Sequence, residues 1–141
     1  MAGYTVRRLD EIPGVPDPDP GDPEWKPVRH HFGLEAFGAN VFVQPEAGGR
    51  LVEEHRELDT KHQELYVVLT GRAEFVVDGE PYDCVAGTCV AIRDPQVSRR
   101  AIAVEPGTSV LAIGATPGQA YEISSWDSKW TSGLPQAKED S

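Results

Sequence analysis

Cysteine is scarce in this chain of 141 residues: only Cys84 and Cys89 are present. They form no Cys-x-x-Cys pair, so neither a zinc-ribbon nor a thioredoxin-type motif exists. No apolar h-region follows the basic N-terminal residues Arg7 and Arg8, so no secretory signal is read. A cytoplasmic protein with two reduced thiols packed as small apolar groups is therefore expected, Cys89 among the buried residues. Long hydrophobic runs are also missing, and nothing approaches the length that crosses a bilayer. Basic residues are few, 13 Lys and Arg against 23 Asp and Glu, for a net charge of −10. That balance disfavours polyanions, so neither nucleic acid nor a membrane is expected as a partner. No helix-length amphipathic segment separates the candidate strands, which excludes a parallel α/β sheet. A phosphate loop, a Ser-His-Asp signature and a dinucleotide fingerprint are likewise absent.

What is present is β-pattern and turns. Hydrophobic residues make up 39 % and charged residues 26 %, an ordinary globular balance that suits one domain with one core. The segment 11–23 is proline-rich and cannot be helix or central strand, so it reads as an extended arm. Beyond it, apolar residues alternate with period two over 25–31, 36–44, 49–57, 64–69, 73–77, 88–93, 97–104 and 109–113. Turn residues separate these runs. Asp78-Gly79 is the clearest, because a two-residue hairpin turn needs positive φ. About eight short strands at this spacing predict an all-β sandwich or barrel. The expected organisation is an N-terminal strand and arm over 1–24, a barrel over 25–118, and a C-terminal segment over 119–141 whose last residues are disordered. Residues 119–130 read as a short helix or an extended tail. A helix would set Trp126 and Trp130 on one face, to cap the barrel or fill a dimer contact.

The stretch from Gly49 to Gly71 concentrates the chemistry. His55 and Glu57 stand two apart near the end of one strand, so they share a face. His62 and Glu64 repeat that spacing at the start of the next. Pairing of the two strands would bring two imidazoles and two carboxylates into one small volume, a ligand set that Mn, Fe, Ni, Cu and Zn accept.

This stretch resembles the first cupin motif, G-x5-H-x-H-x3/4-E-x6-G. Gly49, five residues and His55 match its first half; Glu64, six residues and Gly71 match its second. With the strand ELYVVLTG, the following RAEFVVDGE and the later AGT, the resemblance covers roughly residues 36–115. It is closest to small single-domain bacterial cupins of unassigned function. It implies a double-stranded β-helix, or jelly-roll barrel, with a small-molecule ligand inside and a homodimeric assembly. The departures are Glu57 in place of the second histidine, a loop to Glu64 about two residues longer than the motif, and a degraded second motif. There Gly87 is kept, but Arg93 stands for the proline, Pro95 for the glycine, Ser98 for the third histidine and Ile102 for the asparagine.

Two readings follow. In one, a divalent transition metal (Fe, Mn, Ni or Zn) sits on His55, Glu57 and Glu64, with His62 as a fourth ligand. The resemblance then implies a dioxygenase, isomerase, decarboxylase or cyclase acting on a small organic acid or aromatic compound. In the other, the barrel is metal-free and His55, Glu57, His62 and Glu64 form a polar network lining a small-molecule pocket. His62 or Glu64 would be its general base. Alternation points one of Arg99 and Arg100 inward, where a guanidinium would hold a ligand carboxylate and repel a cation. Tyr66, on the face of Glu64, reads equally as a ligand contact or a core aromatic. His30 and His31 read as surface or packing residues on a strand.

Overall fold

The computed structural model describes residues 3–15, 19–138 and 140. Nine strands form two antiparallel sheets. β1 (Glu24–Lys26), β2 (Gly38–Gln44), β9 (Thr108–Ala115), β4 (Gln63–Thr70) and β7 (Cys89–Ile92) make a five-stranded sheet in that spatial order. β3 (Arg50–His55), β8 (Arg99–Ala103), β5 (Arg72–Val77) and β6 (Glu80–Val85) make a four-stranded one. The sheets face each other over a core of Leu51, Tyr66, Val68, Phe75, Ala101, Ala103, Val110 and Ala112. The Tyr66 and Phe75 rings bridge the layers with centroids 5.5 Å apart.

The pattern along two inward-facing rows positions the site. On β4 the row runs Glu64, Tyr66, Val68; on β8 it runs Arg99, Ala101, Ala103. Each begins polar at one end of the barrel and turns apolar with depth, so one end is a packed core and the other is a charged mouth.

The β5–β6 hairpin turns at Asp78 and Gly79, both at positive φ (51° and 83°), as the sequence predicts. Its second strand, β6, was not legible. Its outward residues Pro81, Asp83 and Val85 follow no clean alternation. The expected strand over 25–31 is only half right. β1 stops at Lys26, because Pro27 cannot continue the ladder, and α1 (Val28–Phe32) follows, ended by Gly33 in the left-handed region. No strand forms before Glu24 among the described residues. Instead there is a 3-10 turn at Leu9–Glu11, then buried Ile12, then Val15 bridged to Trp25. Positions 16–18 of the expected arm lie outside the described residues.

The C-terminal segment takes the helical alternative, as α2 (Ser125–Thr131). Ala137 N–H donates to His31 O, the Gln136 amide donates to His30 O, and Asp140 pairs with Arg7. Cys89 also departs from expectation. It pairs with Val67 on the outer face of an edge strand and is exposed, while Cys84 is buried; both thiols are free. No helix among the described residues is long and apolar enough to cross a membrane.

Candidate functional site

Three segments build the charged mouth. β3 ends at His55, and the chain then leaves the sheet. Glu57 N–H donates to Pro95 O, and Lys61 N–H donates back to Glu57 O. Lys61 sits at φ 56°, the kink that absorbs the long loop before β4. Glu57 therefore lies one step beyond the strand to which its spacing assigned it, yet still turns inward. Glu64 opens the inward row of β4, and Arg99 opens that of β8, where it is the register partner of His55.

His55 Nε2 lies 2.9 Å from Glu57 Oε1 and 3.5 Å from Glu64 Oε1. His55 Nδ1 is 2.7 Å from Glu53 O, which fixes that nitrogen as the donor. Tyr66 OH donates to Glu64 Oε1 at 2.8 Å, and Arg99 Nη1 donates to the same oxygen at 2.8 Å. Arg99 Nη1 is also 3.8 Å from Glu57 Oε1. The Thr60 hydroxyl donates to Glu57 Oε2 at 2.7 Å. The Arg99 side chain is wholly buried, and its Nε and Nη2 have no partner among the described residues.

Charge and burial set the protonation of this cluster. Hydrogen bonds to Glu57 and then Glu64 raise the His55 imidazole to a pKa of about 10 against the opposing effect of burial. Burial works to raise the Glu57 carboxyl, but hydrogen bonds from His55 and Thr60 outweigh it and lower the pKa to about 2. Burial, and then the Glu64 carboxylate, push the Tyr66 phenol well above its ordinary value.

Above the cluster lies a cavity of about 390 Å³, walled by Phe42, Leu51, Ala112 and Trp126 and floored by His55, Glu57, Glu64 and Tyr66. α2 and the segment before it form the roof. Trp126 reaches over the cavity and packs against Trp25, with centroids 5.0 Å apart, while Trp25 Nε1 donates to Asn40. The buried Asp127–Arg29 pair, 3.2 Å, ties α2 to α1.

The sequence-predicted residues divide as follows. His55, Glu57, Glu64 and Tyr66 come together. His55, Glu57 and Glu64 offer ligand atoms all within 4.8 Å of one another, a candidate metal site. His62 stands outside this network, at the mouth, with its ring 5.7 Å from that of Tyr121. Arg100 is exposed, on the face of β8 opposite to Arg99. Arg99 is the inward arginine, but it lies behind the carboxylates and is engaged by them rather than walling the cavity. Alignment to the second motif set Ser98 at the third histidine; in space the inward residue is Arg99. Thr60 and Phe42 were missed. Thr60 sits in an irregular loop that carries no pattern, and Phe42 reads as one more strand apolar.

A sandwich whose one end is packed and whose other end carries ionisable groups from three strands is the architecture of the cupins, and the chain has the cupin fold. No protein-family model matches the sequence, and no curated protein does. Solved structures do match. A sugar phosphate isomerase of the cupin superfamily from Silicibacter pomeroyi superposes with a TM-score of 0.65 at 19 % identity, over 79 % of this chain and 75 % of that one. KdgF from a Halomonas species gives 0.65 at 19 %, over 84 % and 96 %. A cupin protein from Bacteroides fragilis gives 0.60 at 20 %, over 88 % and 93 %. At these identities the likeness speaks to fold alone.

Proposed function

We propose that this barrel is a small-molecule-binding cupin that works without a metal, its ligand seated over His55, Glu57 and Glu64. The observation that carries the reading is Arg99. A buried guanidinium lies 2.8 Å from Glu64 and 3.8 Å from Glu57, one residue beyond Ser98, which the motif alignment sets at the third histidine. With His55 protonated, two cations balance two carboxylates, so the cluster is neutral as it stands. A divalent ion among these ligands would meet the guanidinium at close range, and the ligand oxygens it needs already accept hydrogen bonds. As they stand, these side chains do not fit a metal.

The same geometry selects the ligand. Glu57 and Glu64 both border the cavity. Both His55 nitrogens are engaged. The floor thus offers acceptors beneath walls of Phe42, Leu51 and Trp126. A compound with hydroxyl or amino donors and one apolar face suits it better than an organic acid, since Arg99 does not line the cavity. Glu64 is also the group that would take a proton from a bound ligand. A reducing, cytoplasmic setting suits the two free thiols.

One observation favours the metal-bound alternative. His55 Nδ1 donates to a carbonyl, the arrangement that frees Nε2 to ligate. Metal analysis of untagged protein separates the two. The expected outcome is substoichiometric metal and a melting temperature unchanged by chelator. Stoichiometric metal that is lost in His55→Ala would overturn the proposal.

A further inference from the structure

Two inward glycines leave bare backbone beside the carboxylates. Register sets Glu64, Gly114 and Gly38 in one row across β4, β9 and β2, and Tyr66, Ala112 and Asn40 in the next. Both rows face the barrel interior. A Cβ at Gly38 would stand 2.8 Å from the Tyr121 hydroxyl, and one at Gly114 would stand 3.2 Å from Glu64 Cγ. The missing side chains thus make room for Tyr121 on one side and Glu64 on the other. Both residues line a nook of about 90 Å³ that adjoins the ligand cavity and shares Asn40, Glu57 and Glu64 with it. Trp25 Nε1 donates to Asn40 Oδ1 at 2.7 Å. An indole N–H can only donate, so this bond fixes which end of the amide is oxygen. The Asn40 Nδ2 group is left without a partner among the described residues, and so is the Tyr121 hydroxyl. The nook therefore holds two unspent donors, while Glu57 and Glu64 supply acceptors to the same space.

We propose that this nook is a subsite for a neutral primary carboxamide. Its carbonyl oxygen accepts from Asn40 Nδ2 and the Tyr121 hydroxyl, its N–H groups donate to Glu57 and Glu64, and the ring that bears it lies in the cavity against Phe42 and Trp126. The inference rests on the reading of the mouth as a metal-free ligand site. Size argues for the group. One water takes about 30 Å³ of the liquid, so the nook has room for roughly three heavy atoms, the number in a carboxamide. Charge and hydrogen bonding argue for it as well. A carboxylate has no hydrogen to give Glu57 and Glu64, and would add a third anion beside them. An ammonium group would leave the Asn40 and Tyr121 donors unmet, and a ketone would leave the acceptors unmet. A carboxamide carries acceptor and donors side by side without charge. Asn40 and Tyr121 are then specificity-determining residues, and Trp25 positions Asn40.

Asn40 is the only asparagine of the chain, so protein grown with isotope-labelled asparagine shows a single side-chain amide by NMR. Titration of the full-length protein with benzamide is expected to move that signal. Benzamide is also expected to bind about tenfold more tightly than acetophenone or benzoate, which share its shape but lack its N–H donors. Asn40→Asp keeps the acceptor for Trp25 and removes the free donor; Tyr121→Phe removes the other. Each is expected to weaken benzamide about fivefold with an unchanged circular dichroism spectrum. An Asn40 signal that stays still while benzamide binds overturns the proposal. So do equal affinities for the three probes, folded variants that bind as the wild type does, and no binding of benzamide at all. Should either variant unfold, the wild-type titration decides alone. The metal analysis described above upholds or fails the wider reading independently, whatever benzamide does.

Discussion

Arg99 shows how much one side chain decides at the mouth of a cupin-type barrel. Its guanidinium holds Glu64 and sits within reach of Glu57, two of the three residues that offer candidate ligand atoms. Replacing it reverses the chemistry. Arg99→His removes the fixed cation and supplies a second imidazole beside two carboxylates. That variant is expected to take up a divalent transition metal, read by metal analysis and by a rise in melting temperature with added metal that the wild type does not show. The His55–Glu57 pair carries its own signature. The His55 pKa is raised from 6.5 to about 10, so its stabilisation is complete below pH 6.5 and fades as pH rises through about 10. The Glu57 pKa is lowered from 4.5 to about 2, so its share is complete above pH 4.5 and is lost as pH falls through about 2. The melting-temperature difference between wild type and His55→Gln should therefore be flat between pH 4.5 and 6.5 and shrink toward pH 10. A difference that grows with pH would contradict the pairing.

At the scale of elements, the glycines of the cupin-like stretch have mechanical reasons to be glycine. Gly71 links β4 to β5 at φ 74°, and a Cβ there would lie 2.4 Å from Thr108 Oγ1. Thr108 is itself buried and tied to Arg72 O and Glu105 O, so it has little room to yield. Gly71→Ala is expected to cost at least about 2 kcal/mol in urea unfolding, from left-handed backbone strain plus the clash. Elements also show where sequence reasoning succeeds. Period-two alternation located β2, β3, β4, β5, β7, β8 and β9, and the spacing His55-x-Glu57 with Glu64 placed three of the clustered side chains. It failed where tertiary context overrides pattern. Pro27 turned a predicted strand into α1. β6 hid behind irregular outward residues, and a motif alignment pointed to Ser98 where the pleat presents Arg99. The roof was half legible, since the four-residue spacing of Trp126 and Trp130 announced a helix but not which tryptophan closes the cavity.

For the whole molecule, the cupin fold supplies a cavity with one packed end and one chemical end, and the chain's departures from the cupin motifs all fall at the chemical end. Gly49, His55, Glu64 and Gly71 keep the backbone of the first motif and the barrel with it. Glu57, the long loop and Arg99 then change what the mouth can hold.

The tail that returns across the barrel has a mechanical corollary. Asp140 N–H donates to Tyr4 O and its carboxylate pairs with Arg7, so the two extremities of the described chain are knotted side by side. The roof bearing Trp126 is thereby moored twice, by Asp127 to α1 on one flank and by this clasp on the other. Anything appended to the carboxyl end pulls on the clasp first, and through it on the ceiling of the cavity. A label meant to leave the ligand chamber undisturbed belongs at the Asp78-Gly79 hairpin instead.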